Sequence, residues 1–152
     1  MLICGLLSAL LLPAGCGEEP RPETIAREFV TACEQAAQQR SVSDLRDLIA
    51  EGYADSEGRS ALDVLAVAAG YLLSNQSVHV FTKLQTAAER DGRIDATVLA
   101  ALAGRPITDL AALPSLNADL YWFELELVEE KGDWRLANAA WRTALIEDFF
   151  AD

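Results

Sequence analysis

A change of hydrophobic period at Ser77 is the feature that most constrains the fold of this chain. Before Ser77, apolar residues recur every three or four positions, which is the spacing of one face of an α-helix. After Ser77, apolar and polar residues alternate, which is the pattern of a half-buried β-strand. The sequence therefore predicts helices first and strands second, an order that places the helices against one face of an antiparallel sheet.

Three helices are predicted in the first part of the chain. The first covers residues 24–39. Each of the next two starts with the pattern S-x-x-D, at residues 41–44 and 60–63, in which the serine hydroxyl accepts a hydrogen bond from a backbone amide and the carboxylate reaches back. We expect the second helix to end near Gly52 and the third to end at residues 74–76.

Two β-hairpins are predicted in the second part. Asp91-Gly92 is a strong turn signal in the first hairpin, and Lys131-Gly132-Asp133 turns the chain in the second. The expected strands cover residues 78–90, 94–103, 120–130 and 134–143.

The segments outside the hairpins are also informative. Residues 104–117 are too many for a tight turn, and we expect a lid or packing flap there with a short helix over residues 108–113. The end of the chain carries an apolar pair, Phe149 and Phe150, which either docks on the sheet or contacts a second chain.

The charge of the chain limits the kinds of partner that it can bind. It has 152 residues, with 24 acidic and 12 basic side chains and a formal charge of −12. Nucleic acid and anionic lipid surfaces are bound through clustered lysine and arginine, which this sequence lacks, so we expect no nucleic-acid partner. The apolar share of 51% excludes an acidic disordered tail.

The first 17 residues are uncharged and contain an apolar run at residues 2–12, which is too short to span a bilayer. Small residues then precede Cys16. This arrangement resembles a bacterial lipoprotein signal, and the resemblance implies that Cys16 becomes the lipid-bearing, palmitate-carrying first residue of the mature chain. Gly17 would imply sorting to the outer membrane, facing the periplasm. The alternatives are a cleaved secretory signal and a buried N-terminal helix.

These observations divide the chain into four parts. We expect a signal peptide at residues 1–15, a polar tether at 16–23, a folded domain at 24–146 and a C-terminal tail at 147–152. Cleavage before Cys16 would remove Cys4 and leave Cys33 as the single free thiol, so no disulfide would form within the chain. Cys33 falls among apolar helical positions, which predicts a buried thiol without a reactive role.

Three stretches, at residues 58–73, 77–86 and 118–141, resemble the NTF2-like (SnoaL-like) superfamily. In its last hairpin an alternating aromatic and acidic strand is followed by a glycine turn, Trp-Arg-Leu and a closing tryptophan, which here are Trp134, Arg135, Leu136 and Trp141. The resemblance covers residues 24–144 and implies an α+β fold in which N-terminal helices pack into a curved four-stranded antiparallel sheet, forming a cone. The superfamily contains enzymes, binders and adaptors, so the fold does not select an activity.

Enzymes of this superfamily generally place a carboxylate or histidine base in an apolar pocket with a tyrosine or a protonated acid. The candidates for these roles are His79, Asp95 and Tyr121, together with Asp119 and Asn138. Each has a structural alternative: a hydrogen-bonded strand residue, a solvated or turn-capping acid, or a core tyrosine. With one histidine and no HxH, CxxC or HExxH pattern, we expect neither a transition-metal site nor a cofactor.

Two functions remain open. The first is a lipid-anchored, non-catalytic domain that binds a protein or a small apolar molecule in the cone. The second is a ketosteroid-isomerase-like or cyclase-like enzyme that uses His79 or Asp95 with Tyr121. If these side chains do not face one pocket, the second hypothesis fails. Sheets of the superfamily often dimerise, so the resemblance allows a homodimer through the sheet, and the oligomeric state stays open.

Overall fold

The computed structural model describes residues 20–151, and the predicted signal peptide, Cys16 and most of the tether lie outside them. The order of elements is the expected one, helices followed by strands. The elements are α1 (Pro22–Gln38), α2 (Val42–Asp47), α3 (Ala61–Ser74), β1 (His79–Arg90), β2 (Arg93–Ala103), β3 (Asp119–Glu130) and β4 (Asp133–Thr143), with 3₁₀ helices at Leu110–Ser115 and Ile146–Phe149.

The four strands form one antiparallel sheet in the order β1-β2-β3-β4. Both hairpins have two-residue loops, Asp91-Gly92 and Lys131-Gly132, in which every φ is positive. This is the backbone of a type I′ turn, whose twist matches that of the flanking strands. The sheet of two hairpins inferred from the alternation is therefore confirmed.

Two register shifts bend the sheet. One extra residue, Gln85, interrupts the pairing of β1 with β2, and another, Ala137, interrupts the pairing of β4 with β3. A bulge increases the local twist and bends its strand, so the sheet curves into a concave face and a convex face. The fold is the α+β cone expected from the sequence.

Helix α1 lies in the concave face. Its buried residues Ile25, Phe29 and Val30 pack against Ile94 and Val98 of β2, and every one of these side chains is less than 10% exposed. Burial of one such side chain contributes roughly 1.5–3 kcal/mol. The packing of α1 against the sheet therefore stabilises this half of the molecule.

The predicted second helix ends earlier than expected. It stops at Asp47 rather than near Gly52, because the following segment pairs with the edge of the sheet. The amide of Leu136 donates to the carbonyl of Leu48 (2.8 Å), and the amide of Ala50 donates to the carbonyl of Leu136 (2.9 Å). The segment thereby covers a strand edge that would otherwise present unpaired backbone groups.

The convex face is covered at one end by the long connection and the C-terminal segment. The expected helix at residues 108–113 is a 3₁₀ helix shifted to Leu110–Ser115, started by the Asp109 side chain, which accepts from the amide of Ala112 (2.9 Å). Phe149 is fully buried in a cluster with Leu99 and Leu113.

Helix α3 differs from α1 because it is apolar on all sides yet buries only Leu65 and Leu72. Leu62, Val67 and Leu73 are 53–80% exposed. Its expected capping box is present, with the Ser60 amide donating to Asp63 (2.8 Å). No helix within residues 20–151 is long and apolar enough to cross a membrane.

Candidate functional site

A cavity of about 250 Å³ lies between the helices and the concave face of the sheet, and we call it the cone cavity. Two larger depressions, of about 480 and 690 Å³, are lined by several charged side chains. The cone cavity is instead mostly apolar with a few polar groups, which is typical of a small-molecule site. Its lining residues are Cys33, Glu34, Ala37, Leu45, Val67, Ala68, Tyr71, Leu72, Val80, Thr82, Leu102, Tyr121 and Trp141.

The size of the side chains along α1 explains where the cavity lies. The first half of the helix presents Phe29 and Val30 to the sheet, and these fill the space under it. The second half presents Cys33 and Ala37, whose shorter side chains line the cavity. A gap therefore remains beneath the second half of the helix, and α3 closes it on the far side.

Three aromatic residues form much of the cavity wall. Tyr121 and Trp141 come from β3 and β4, and Tyr71 comes from α3. Phe123 lies between the two strand residues, with its ring centroid 5.8 Å from that of Tyr121 and 6.3 Å from that of Trp141. This spacing is favourable for tilted aromatic pairs, which stabilise the wall.

Two hydrogen bonds bring polar groups to the cavity. The Thr82 hydroxyl donates to a Glu34 carboxylate oxygen (2.6 Å), and the Tyr71 hydroxyl donates to an Asp119 carboxylate oxygen (2.8 Å). Burial, followed by the bond to Asp119, raises the pKa of Tyr71 above its usual range. Burial and the Asp119 charge raise the pKa of Tyr121 as well. Both phenols are therefore neutral at physiological pH.

A buried acid supports the wall from behind. The Asp55 side chain is fully buried and accepts from Arg59 Nε (2.7 Å) and from the Tyr53 hydroxyl (3.1 Å). Burial alone would raise the pKa of Asp55, but the hydrogen bonds from Arg59, Tyr53 and the Glu57 amide outweigh it and lower that pKa to about 2. The Arg59 guanidinium in turn stacks 4.0 Å from the centroid of the Trp141 ring.

The residues proposed from sequence as an acid–base set are separated in the structure. Tyr121 lines the cone cavity. His79 and Asp95 do not line it. His79 precedes the cavity-lining Val80 and contacts the Ser77 hydroxyl (3.1 Å). Asp95 lies 3.4 Å from Arg90 in the depression of about 480 Å³, which is on the convex face and is called the convex-face depression. Strand alternation accounts for both positions, because neighbouring residues point to opposite faces.

The two remaining candidates also have structural partners. Asn138 lines the convex-face depression and donates to the carbonyl of Ala54 (3.0 Å), while Asp119 accepts the Tyr71 hydroxyl at the rim of the cone cavity. Sequence reasoning missed Glu34, Tyr71 and Thr82. A signal for Glu34 exists in the sequence, since it is a carboxylate beside the small apolar residues of α1, but its cavity depends on a partner strand far along the chain.

Cys33 is half-buried and lines the cavity as a free thiol. Burial, followed by the neighbouring charge of Glu34, raises the pKa of Cys33 to about 12. The thiol is therefore protonated and acts as a small apolar group. Within residues 20–151, no three side chains of the metal-binding types converge on one point.

Comparisons with known proteins agree on the fold. No protein-family model matches the sequence, and no curated protein matches it. Among solved structures, a Streptomyces avermitilis protein assigned provisionally as a dehydratase of the NTF2-like family is similar, with a TM-score of 0.62 at 14% identity over 82% of this chain and 97% of that chain.

Two further solved structures have the same fold. A Novosphingobium aromaticivorans protein assigned provisionally as a scytalone dehydratase has a TM-score of 0.63 at 8% identity, over 80% of this chain and 83% of that chain. An NTF2-like protein of unknown function from Silicibacter pomeroyi has a TM-score of 0.57 at 12% identity, over 79% of this chain and 93% of that chain. Such likenesses establish the architecture alone. The chain has the NTF2-like fold.

Proposed function

We propose that this protein is a lipid-anchored binding protein of the bacterial cell envelope, and that its cone cavity holds a small, largely apolar molecule. The observation that carries the proposal is the cavity itself, which has aromatic and aliphatic walls and few polar groups. Its volume of about 250 Å³ lies just below the range of drug-sized sites, so it suits a small ligand.

Native mass spectrometry tests the binding function. The full chain would be isolated in mild detergent from the organism that makes it, and an adduct of constant mass should accompany the protein. Ala37→Leu, which places a larger side chain in the cavity, should remove the adduct. Ala66→Leu adds the same atoms at an exposed position of α3 and should keep it. An adduct that persists in Ala37→Leu would contradict the proposed site.

The anchoring part of the proposal rests on the resemblance of residues 1–17 to a lipoprotein signal. Labelling with radioactive palmitate tests it, because a diacylglyceryl group on Cys16 would carry the label. Cys16→Ala should lose the label and leave the membrane fraction, while Cys33→Ala serves as the matched control and should keep both properties. A labelled, membrane-bound Cys16→Ala protein would overturn the anchor.

Acid–base catalysis in the same cavity is the second candidate. The observation that favours it is that a carboxylate, Glu34, and a phenol, Tyr121, line one apolar cavity. The role first assigned to His79 or Asp95 would then belong to Glu34. Turnover of a captured ligand by the wild type, and its absence in Glu34→Gln with binding intact, would establish catalysis.

A further inference from the structure

We propose that the ligand of the cone cavity is a small amphipathic amine, with an apolar body against the aromatic wall and a protonated ammonium group beside Glu34. This inference rests on the proposed binding function and specifies the ligand's chemical class. It follows from the sign of the charge in the cavity, from the orientation of its hydrogen-bonding groups and from its aromatic residues.

Glu34 is the one charged side chain among the described residues that line the cavity. One of its carboxylate oxygens accepts a short hydrogen bond from Thr82 (2.6 Å). A carboxylate offers about four lone-pair sites, so that single bond leaves most of its acceptor capacity for a ligand. An ammonium group donates three hydrogen bonds and is the natural partner for such a group.

The polar groups of the protein at the rim are hydrogen-bond acceptors. The Tyr71 hydroxyl donates its proton to Asp119 (2.8 Å), so its oxygen can accept a hydrogen bond from a ligand. Asp119 adds a second negative charge close to both Tyr71 and Tyr121. A cation entering past this rim meets two carboxylates, whereas an anion would meet repulsion from both.

The aromatic wall also attracts a cation. The faces of tyrosine and tryptophan rings carry negative electrostatic potential, and a cation within about 6 Å of a ring centroid is stabilised. The molecule already makes one such contact, since the Arg59 guanidinium lies 4.0 Å from the centroid of Trp141. Tyr71 and Tyr121 also line the cavity, so a cation bound there lies near two further aromatic rings.

Two arginines that contact cavity-lining residues do not themselves line the cavity. Arg59 is paired with Asp55 (2.7 Å) and Glu57 (2.8 Å). Arg40 donates to the carbonyls of Leu72 (2.8 Å) and Gln76 (3.4 Å), at the C-terminal end of α3. Neither guanidinium lines the cavity, and the chain as a whole has a charge of −12.

Three probes of one shape and different charge test the proposal. We would titrate the full chain in detergent with 2-phenylethylamine, 2-phenylethanol and 3-phenylpropionate at pH 7, and follow the cavity residues by NMR. The amine should bind at least about tenfold more tightly than the alcohol, and the carboxylate should bind most weakly. Raising the salt concentration should reduce the difference between the amine and the alcohol.

Variants of α1 assign the effect to one side chain. Glu34→Gln keeps the shape of the side chain and should weaken amine binding about tenfold while leaving alcohol binding unchanged. Glu28→Gln, on the same helix but outside the cavity, makes the same change of charge and should have no effect on either probe. Circular dichroism would verify that both variants are folded.

The outcomes separate this inference from the function on which it rests. If the alcohol binds as tightly as the amine, or if Glu34→Gln leaves amine binding unchanged, the ligand is not selected as a cation and the inference is overturned, while the binding function stands. If none of the three probes binds at millimolar concentration, the inference is overturned, and the adduct found by native mass spectrometry decides the binding function separately.

Discussion

The two ends of the concave face are built on the same strands but differ in what fills them. At the filled end, defined by Phe29, Val30, Val98 and Leu127, side chains of α1 interlock with those of the sheet, and all four are less than 10% exposed. At the open end, defined by Cys33, Ala37, Tyr121 and Trp141, the helix side chains are short and the cavity remains.

The difference shows how one helix serves stability and binding together. The face of α1 that meets the sheet changes from large to small side chains between Val30 and Cys33. Because interiors are otherwise close-packed, a helix that leaves a gap loses contact energy there. The packing at the filled end and the pairing of Asp55 with Arg59 behind Trp141 offset that loss, so the gap remains available to a ligand.

Phe29→Ala should have the largest effect on stability. Phe29 is 6% exposed, and its truncation should lower the free energy of unfolding by about 3–5 kcal/mol because a cavity is left in a packed region. Val67→Ala at the open end should cost no more than about 0.5 kcal/mol, since Val67 is 53% exposed. Urea denaturation of both variants measures the contrast, and equal losses would show that the two ends are packed alike.

Ala37→Leu should fill part of the cavity at the open end. The added side chain occupies the cavity, so binding of the amine probe should weaken at least tenfold. The free energy of unfolding should change by less than about 1–2 kcal/mol, because space for the new atoms already exists. Isothermal titration calorimetry and urea denaturation give the two values, and unchanged binding would place the ligand elsewhere.

Low pH should weaken the hydrogen bonds that Asp55 accepts behind the open end. The pKa of Asp55 is lowered from its ordinary value of 3.8 to about 2, so its contribution to stability is present above pH 4 and is lost as the pH falls towards 2. The melting temperature of the wild type should therefore fall over that interval. Asp55→Asn should melt lower at pH 7 and should lose less on acidification. A parallel pH dependence in both proteins would contradict this role.

The boundary between the two ends can be probed through Cys33. Its pKa is about 12 instead of 9.0, so the thiolate fraction at pH 8 is very small. Alkylation by iodoacetamide should be at least about a hundredfold slower in the folded protein than in the same protein unfolded in urea. A rate near that of the unfolded protein would show that the open end admits water and charge freely.

Much of the fold could be predicted from local patterns. The alternation in β3 and the two glycine turns indicated the hairpins, and Ser60 with Asp63 indicated the start of α3. The end of α2 could not be predicted, because Leu48 and Ala50 leave the helix to pair with Leu136, which is far along the chain. A local periodicity carries no information about such an edge.

The candidate site was less predictable for the same reason. Tyr121 was identified because it lies on an apolar strand face, whereas His79 and Asp95 were selected by residue type alone, and strand alternation places them outside the cavity. Glu34 and Thr82 are 48 positions apart, and their hydrogen bond exists only because α1 lies across β1.

The sequence by itself determined the order of helices and strands, the two hairpins and the acidity of the chain, because periodicity, turn residues and charge are local properties. Only the tertiary structure decided that the concave face is filled at one end and open at the other. A gap depends on side chains contributed by the three helices and all four strands together, and their sizes can be compared only after the chain has brought them into contact.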